Sequence, residues 1–109
     1  MIVKCVCLDD SNKPKEIPDH LWVKQGAEYH ITCVYWHPRQ GVQGVDLLEI
    51  ALDDSCYPFE TYQLRRFGFT QKEMEQLREL AMLCNELDEV DVDALMEECT
   101  PQQIPEEIG

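Results

Sequence analysis

At Thr70 the spacing of apolar residues changes from two to about 3.6, so the chain reads as strands first and helices afterwards. Beyond that point Met74, Leu77, Leu80, Ala81, Cys84 and Leu87 share one helical face. Thr70 with Glu73 fits a capping box, and Phe69 with Met74 fits the hydrophobic staple that fixes how the chain enters a helix. A second, shorter amphipathic stretch places Val92, Leu95, Met96 and Cys99 together behind Asp91, and Pro101 ends it. Residues 101–109 read as a loose tail.

Before Thr70 the pattern is that of short strands. Ile2 to Leu8 is apolar apart from Lys4 and reads as a buried first strand, closed by Asp9-Asp10-Ser11-Asn12 and the Pro14 to Pro18 stretch. Lys24-Gln25-Gly26 offers a turn into Glu28–Trp36, where Tyr29, Ile31, Cys33 and Tyr35 alternate with Glu28, His30 and Thr32. His37-Pro38-Arg39-Gln40-Gly41 reads as a reversal, since Pro38 has no amide for a ladder. Val45 to Leu52 is the partner strand, but its apolar phase shifts between Val45/Leu47 and Leu48/Ile50/Leu52, which predicts a bulge or strand end near Leu47. Asp53-Asp54-Ser55 closes it, Tyr57 to Leu64 suits a helical turn, and Arg65 to Phe69 is a last short strand. The expected core is Val3, Cys5, Val6, Tyr29, Ile31, Cys33, Val45, Leu47, Ile50 and Phe67.

A long first loop, a hairpin and a helical turn before the final strand form the order of an SH3-like barrel. The predicted class is therefore mainly β with an α extension. A small SH3-like β-barrel is expected over residues 1–69, with two acidic amphipathic helices over 70–100 and a flexible tail over 101–109. The runs Asp10-Ser11-Asn12-Lys13-Pro14-Lys15-Glu16-Ile17-Pro18, Trp22-Val23-Lys24-Gln25-Gly26-Ala27-Glu28-Tyr29 and Tyr57-Pro58-Phe59-Glu60 with Arg66-Phe67 point the same way. Together they resemble small uncharacterised SH3-like barrel proteins of Bacteroides and their phages, over about residues 2–69. The resemblance implies a fold and brings no catalytic or binding residue with it.

Charge narrows the function classes. The formal net charge is -13, and residues 70–109 hold 12 acids against Lys72 and Arg78 alone. A surface this negative repels phosphate, which argues against direct nucleic-acid binding. No apolar run is long enough to span a bilayer and Met1-Ile2-Val3-Lys4 lacks the pattern of a signal peptide, so a cytoplasmic protein without membrane contact is expected. Cys5, Cys7, Cys33, Cys56, Cys84 and Cys99 then read as reduced thiols packed as small apolar side chains.

Chemistry-bearing patterns are weak. Cys5-Val6-Cys7 with Cys33 and His37 lacks the paired knuckles of structural zinc, so no metal is predicted. His20, His30 and His37 stand in no nucleophile context, Asp9-Asp10 and Asp53-Asp54 are explained by turns, and the glycines match no phosphate loop. No catalytic residue and no cofactor are predicted. The aromatics Trp22, Trp36, Tyr57 and Tyr62 are candidates for a peptide shelf, which Asp9, Asp10, Asp53 and Asp54 would bias toward a basic ligand. Met74, Leu77, Leu80, Leu95 and Met96 form helical faces that must dock either on the chain's own barrel or on a second copy or partner. In the latter case they are candidates for a second protein-binding or self-association surface, with Glu73, Glu75, Glu79, Glu86 and Glu89 facing solvent. The leading expectation is a non-enzymatic protein-interaction module whose partner is a protein of basic character or a second copy. The rivals are an acidic mimic of nucleic acid that occupies a DNA- or RNA-binding protein, and a small thiol enzyme or hydrolase.

Overall fold

The computed structural model describes residues 1–37, 42–85, 87–97 and 99–101. Strand β1 (Val3–Cys7) pairs antiparallel with β2 (Glu28–His37), Val3 facing Ile31 and Cys5 facing Tyr29 across the ladder. On one side β2 continues to β3 (Val42–Leu47) and β4 (Tyr62–Gln63), and on the other β1 pairs with β5 (Phe67–Phe69). A short parallel strand, β6 (Thr100–Pro101), lies along β5, giving the order β4-β3-β2-β1-β5-β6. The architecture is a β-rich sheet with five antiparallel strands and two helices, and among the described residues its ladder runs open from β4 to β6. The chain expected to be loose from residue 101 instead has Pro101 on an edge strand, where a residue without an amide is tolerated. The expected reversal at Pro38–Gly41, Glu86 and residues 102–109 lie outside the described residues.

The phase shift around Leu47 is real, and the extra residue sits on the opposite strand. Ile31 faces Leu47 while Cys33 faces Asp46, which leaves Thr32 as the bulged residue of β2, and β3 ends at Leu47. One added residue exchanges the faces of everything beyond it. Tyr29 and Ile31 point inward before the bulge; after it Val34 is fully buried, Cys33 is only half-buried and Tyr35 is exposed. Of the expected core, Cys33 is for this reason only partly buried; Val6 on β1 and Ile50 beyond the end of β3 are also partly buried, and Ile17, Val23, Leu64 and Phe69 are buried in addition. The helical turn expected at Tyr57–Leu64 is shifted: single 3-10 turns occur at Asp54–Cys56 and Leu64–Arg66.

Helix α1 (Gln71–Cys84) begins with the complete capping box. Glu73 N donates to Thr70 Oγ1 and Thr70 N donates to the Glu73 carboxylate at 2.9 Å. It lies against β2, β1 and β5, burying Leu77, Leu80 and Ala81. Helix α2 (Glu89–Glu97) packs beside α1 and buries Val92 and Leu95. Its cap is Asp88, whose carboxylate accepts from Asp91 N at 2.8 Å, three residues earlier than the sequence pattern placed the start. The helices and sheet share one core, in which Val3, Ile31, Phe67, Leu77 and Leu95 belong to a single cluster.

Ile31 is fully buried at the centre of that cluster. Ile31→Ala should cost about 2–5 kcal/mol in chemical denaturation. A loss below about half a kcal/mol, the scale of surface substitutions, would show that the sheet face is wrongly assigned.

Candidate functional site

The long first loop, residues 8–27, is organised by one buried cation. Arg66, 9% exposed, ends the 3-10 turn before β5 and donates from Nη1 to the Ser11 carbonyl at 2.8 Å and the Asp9 carbonyl at 3.1 Å. Its own carbonyl accepts from Leu8 N at 2.7 Å. The guanidinium carbon stands 4.8 Å from the centroid of the Trp22 ring, a cation–π contact, and Trp22 Nε1 donates to the Asp10 carbonyl at 2.7 Å. Trp22 is thus clamped by its edge and by one face.

Against Trp22 lies Tyr62, with ring centroids 6.4 Å apart and planes inclined at 47°. Tyr62 is buried and its hydroxyl donates to the Leu21 carbonyl at 2.7 Å, tying β4 to the loop. Burial pushes its phenol well above the ordinary tyrosine range, so it stays a neutral donor. The two rings form one wall of a cleft of about 390 Å³ completed by Pro14, Ile17, Phe59 and Arg66. Across the Phe59 ring a second cleft of about 320 Å³ opens, lined by Leu52, Asp53, Asp54, Tyr57 and Glu60. The Phe59 ring is thus common to a cleft lined by aromatic and polar side chains, among them Asn12, Thr61 and Gln63, and to one edged by three carboxylates.

The loop acids divide by role. Asp9 and Asp53 each accept hydrogen bonds from the hydroxyl and amide of a serine two residues on, Ser11 and Ser55, and these bonds hold both carboxyls below the usual range. Asp10 accepts from Gln25 N at 3.0 Å and pins the far end of the loop. Asp9 and Asp10 therefore brace the loop, whereas Asp53 and Asp54 border the trough.

Of the aromatic candidates, Trp22, Tyr62 and Tyr57 converge here; Tyr57 is 77% exposed in the acidic cleft. Trp36 lies elsewhere: its backbone amide donates to Asn85 Oδ1 at 3.2 Å where α1 meets β2, and its indole packs on the core. Leu77, Leu80 and Leu95 are buried in the shared core, and Met74 and Met96 are partly buried against it. The apolar face of α1 is covered by the chain's own sheet and that of α2 packs beside α1, so of the two expected dockings these five residues take the one within the chain and are not a surface for a partner. Phe59, missed in the sequence reading, is the residue common to both clefts. Its only signal was an aromatic in an otherwise polar segment between two turns.

The thiols of Cys5 and Cys7 donate to the carbonyls of Tyr29 and Asp9, and burial raises both above the ordinary thiol range. His30 is paired with Glu49 at the sheet surface. Among the described residues no cluster of three or more His, Cys, Asp or Glu side chains is arranged to hold a metal, and no helix is long and apolar enough to cross a membrane. No family model, curated protein or solved structure matches the chain.

The depressed carboxyls fix the sign of the acid response. Their contribution is complete above the ordinary aspartate value and is lost as pH falls through the lower folded one. An NMR titration of the Ser11 and Ser55 amides should therefore show midpoints below that of an unperturbed Asp; equal or higher midpoints would contradict the Asx geometry. Tyr62→Phe should cost about 0.5–1.5 kcal/mol in denaturation, since it removes one part-buried hydrogen bond and keeps the ring.

Proposed function

We propose that this chain is a protein-interaction module that takes an extended peptide segment, part apolar and part basic, into the double trough around Phe59. One observation carries the reading: a cleft walled by Trp22 and Tyr62 shares the Phe59 ring with a cleft edged by Asp53, Asp54 and Glu60. Rigid aromatic faces supply contact area at small cost in side-chain entropy, and carboxylates one or two residues further along favour Lys or Arg. An SH3-like arrangement is part of this proposal. The order β4-β3-β2-β1-β5 with a 3-10 turn between β4 and β5 supports it, as does a trough lying between the first long loop and that turn.

The test uses immobilised extended peptides that pair aliphatic or Pro residues with Arg or Lys, against the same peptides with Glu in place of the cations. Basic members should move the Trp22 indole and Tyr62 ring signals. Phe59→Ala, at a side chain 38% exposed, should weaken binding at least about fivefold without unfolding the chain. Indifference of the aromatic signals to every basic peptide would overturn the reading. Binding that survives Phe59→Ala and collapses with added salt would instead favour the acidic outer face of the helices and the nucleic-acid-mimic reading.

A further inference from the structure

Two of the six cysteines stand apart from the rest. Cys5, Cys7, Cys56 and Cys99 are buried, whereas Cys33 is half-buried on β2 and Cys84 is exposed at the last position of α1. Their sulfurs lie 3.1 Å apart although the residues are separated by 51 positions in the chain. With Thr32 bulged, Val34 takes the buried position and Cys33 is left half-buried, with its sulfur against Cys84 at the end of α1.

The junction that holds the pair is fixed. Asn85, the C-cap of α1, donates from Nδ2 to the carbonyls of Val34 at 2.8 Å and Ala81 at 3.0 Å, and its Oδ1 accepts from Trp36 N. From one side chain these bonds join the backbone just beyond Cys33 on β2 to the last turn of α1, which holds Cys84. Opposite them, Tyr35 donates to the Asp46 carboxylate at 2.6 Å. A disulfide needs the sulfurs to approach to about 2.05 Å, a movement of about an ångström that side-chain rotation and small shifts of the helix end can supply.

We propose that Cys33 and Cys84 form a redox-responsive dithiol which a small-molecule disulfide of the glutathione class oxidises to an intrachain bond, stapling the end of α1 to β2. In the first step the exposed Cys84, as thiolate, attacks one sulfur of the disulfide; the S–S bond breaks, Cys84 carries the mixed disulfide, and one thiolate leaves and takes up the proton that Cys84 lost. In the second, Cys33 loses its proton and attacks Cys84 Sγ, expelling the second thiolate, which is protonated in turn. The protein loses two electrons and two protons, and one disulfide becomes two thiols. The order follows from exposure, and burial together with the neighbouring Cys84 thiol raises Cys33 above the usual range, which suits the resolving role. Because the second step is intramolecular between sulfurs already in contact, the mixed disulfide does not accumulate.

The experiment treats the full chain with graded mixtures of oxidised and reduced glutathione, alkylates the remaining thiols under denaturing conditions and reads intact mass and peptide map. The expected product has four alkylated cysteines, no retained glutathione and a Cys33–Cys84 link within one chain. Its melting temperature should rise by more than about 5 °C, since a long loop is closed in the unfolded state, and dithiothreitol should reverse the rise. Cys33→Ser should stop at one glutathione on Cys84, and Cys84→Ser should abolish the fast reaction. Glutathione retained on Cys84 in the unsubstituted chain, a link joining two chains, or a bond between other cysteines would each overturn the proposal.

Discussion

A single buried guanidinium ties the first long loop, residues 8–27, to the sheet. Residues 8–27 hold few regular hydrogen bonds of their own, and without Arg66 the Ser11 carbonyl would lose the guanidinium donor and the Asp9 carbonyl would keep only the weak one from the Cys7 thiol. A charge at 9% exposure is tolerated because Nη1 meets two carbonyls, the Asp9 carboxylate lies 3.7 Å away and the Trp22 face covers one side of the plane. Lysine would not substitute, since the contacts depend on a flat fork that donates at its edge and stacks on its face. Arg66 follows Leu64 and precedes Phe67, both fully buried, so the core fixes its backbone and its side chain in turn fixes the loop. The trough inherits its rigidity from that sequence of constraints.

The helices depend on the sheet in a different way. A helix of 14 residues is marginal alone in water, and the capping box at Thr70 is worth only about 1 kcal/mol. Burial of Leu77, Leu80 and Ala81 against β1, β2 and β5 supplies the larger part. Asn85 then satisfies the carbonyl of Ala81 at the helix end and simultaneously occupies backbone groups of β2, so the C-terminus of α1 is joined to the sheet by polar contacts and its middle by apolar ones. The helical extension belongs to the same core as the sheet.

Much of this was legible from residue patterns, and the misses share a cause. The switch of period at Thr70, the capping box and the inward Tyr29 and Ile31 are local properties, decided within a few residues, and they appear in the fold as read. The bulge is a relation between two strands: the phase shift visible at Leu47 could be absorbed on either β2 or β3, and only the pairing places it at Thr32. That ambiguity is why Val34 was overlooked, Cys33 was assigned to the core and the contact with Cys84 was invisible. Ile17 and Val23 were missed because they lie in irregular segments, where burial has no period to betray it, and Phe59, exposed in another such segment, has no pattern to mark it either. The opposite error concerned Leu77, Leu80 and Leu95, since an apolar helical face looks the same whether it will meet its own sheet or another chain.

The acid surplus carries less functional weight than its size implies. Glu73 completes the α1 cap, Asp88 caps α2, and Glu89 and Asp91 lie in the first turn of α2, where negative charge opposes the positive end of the helix dipole. Asp93 is engaged by Arg78 at 2.6 Å across the two helices. Five of the 12 acids beyond residue 69 thus have structural partners before any ligand is considered. Asp53, Asp54 and Glu60 differ from these in position, since they edge a cleft that shares the Phe59 ring with the cleft of Trp22 and Tyr62. Net charge acts over a distance on whatever approaches, whereas a proposed basic peptide would be discriminated by the few carboxylates placed beside aromatic rings.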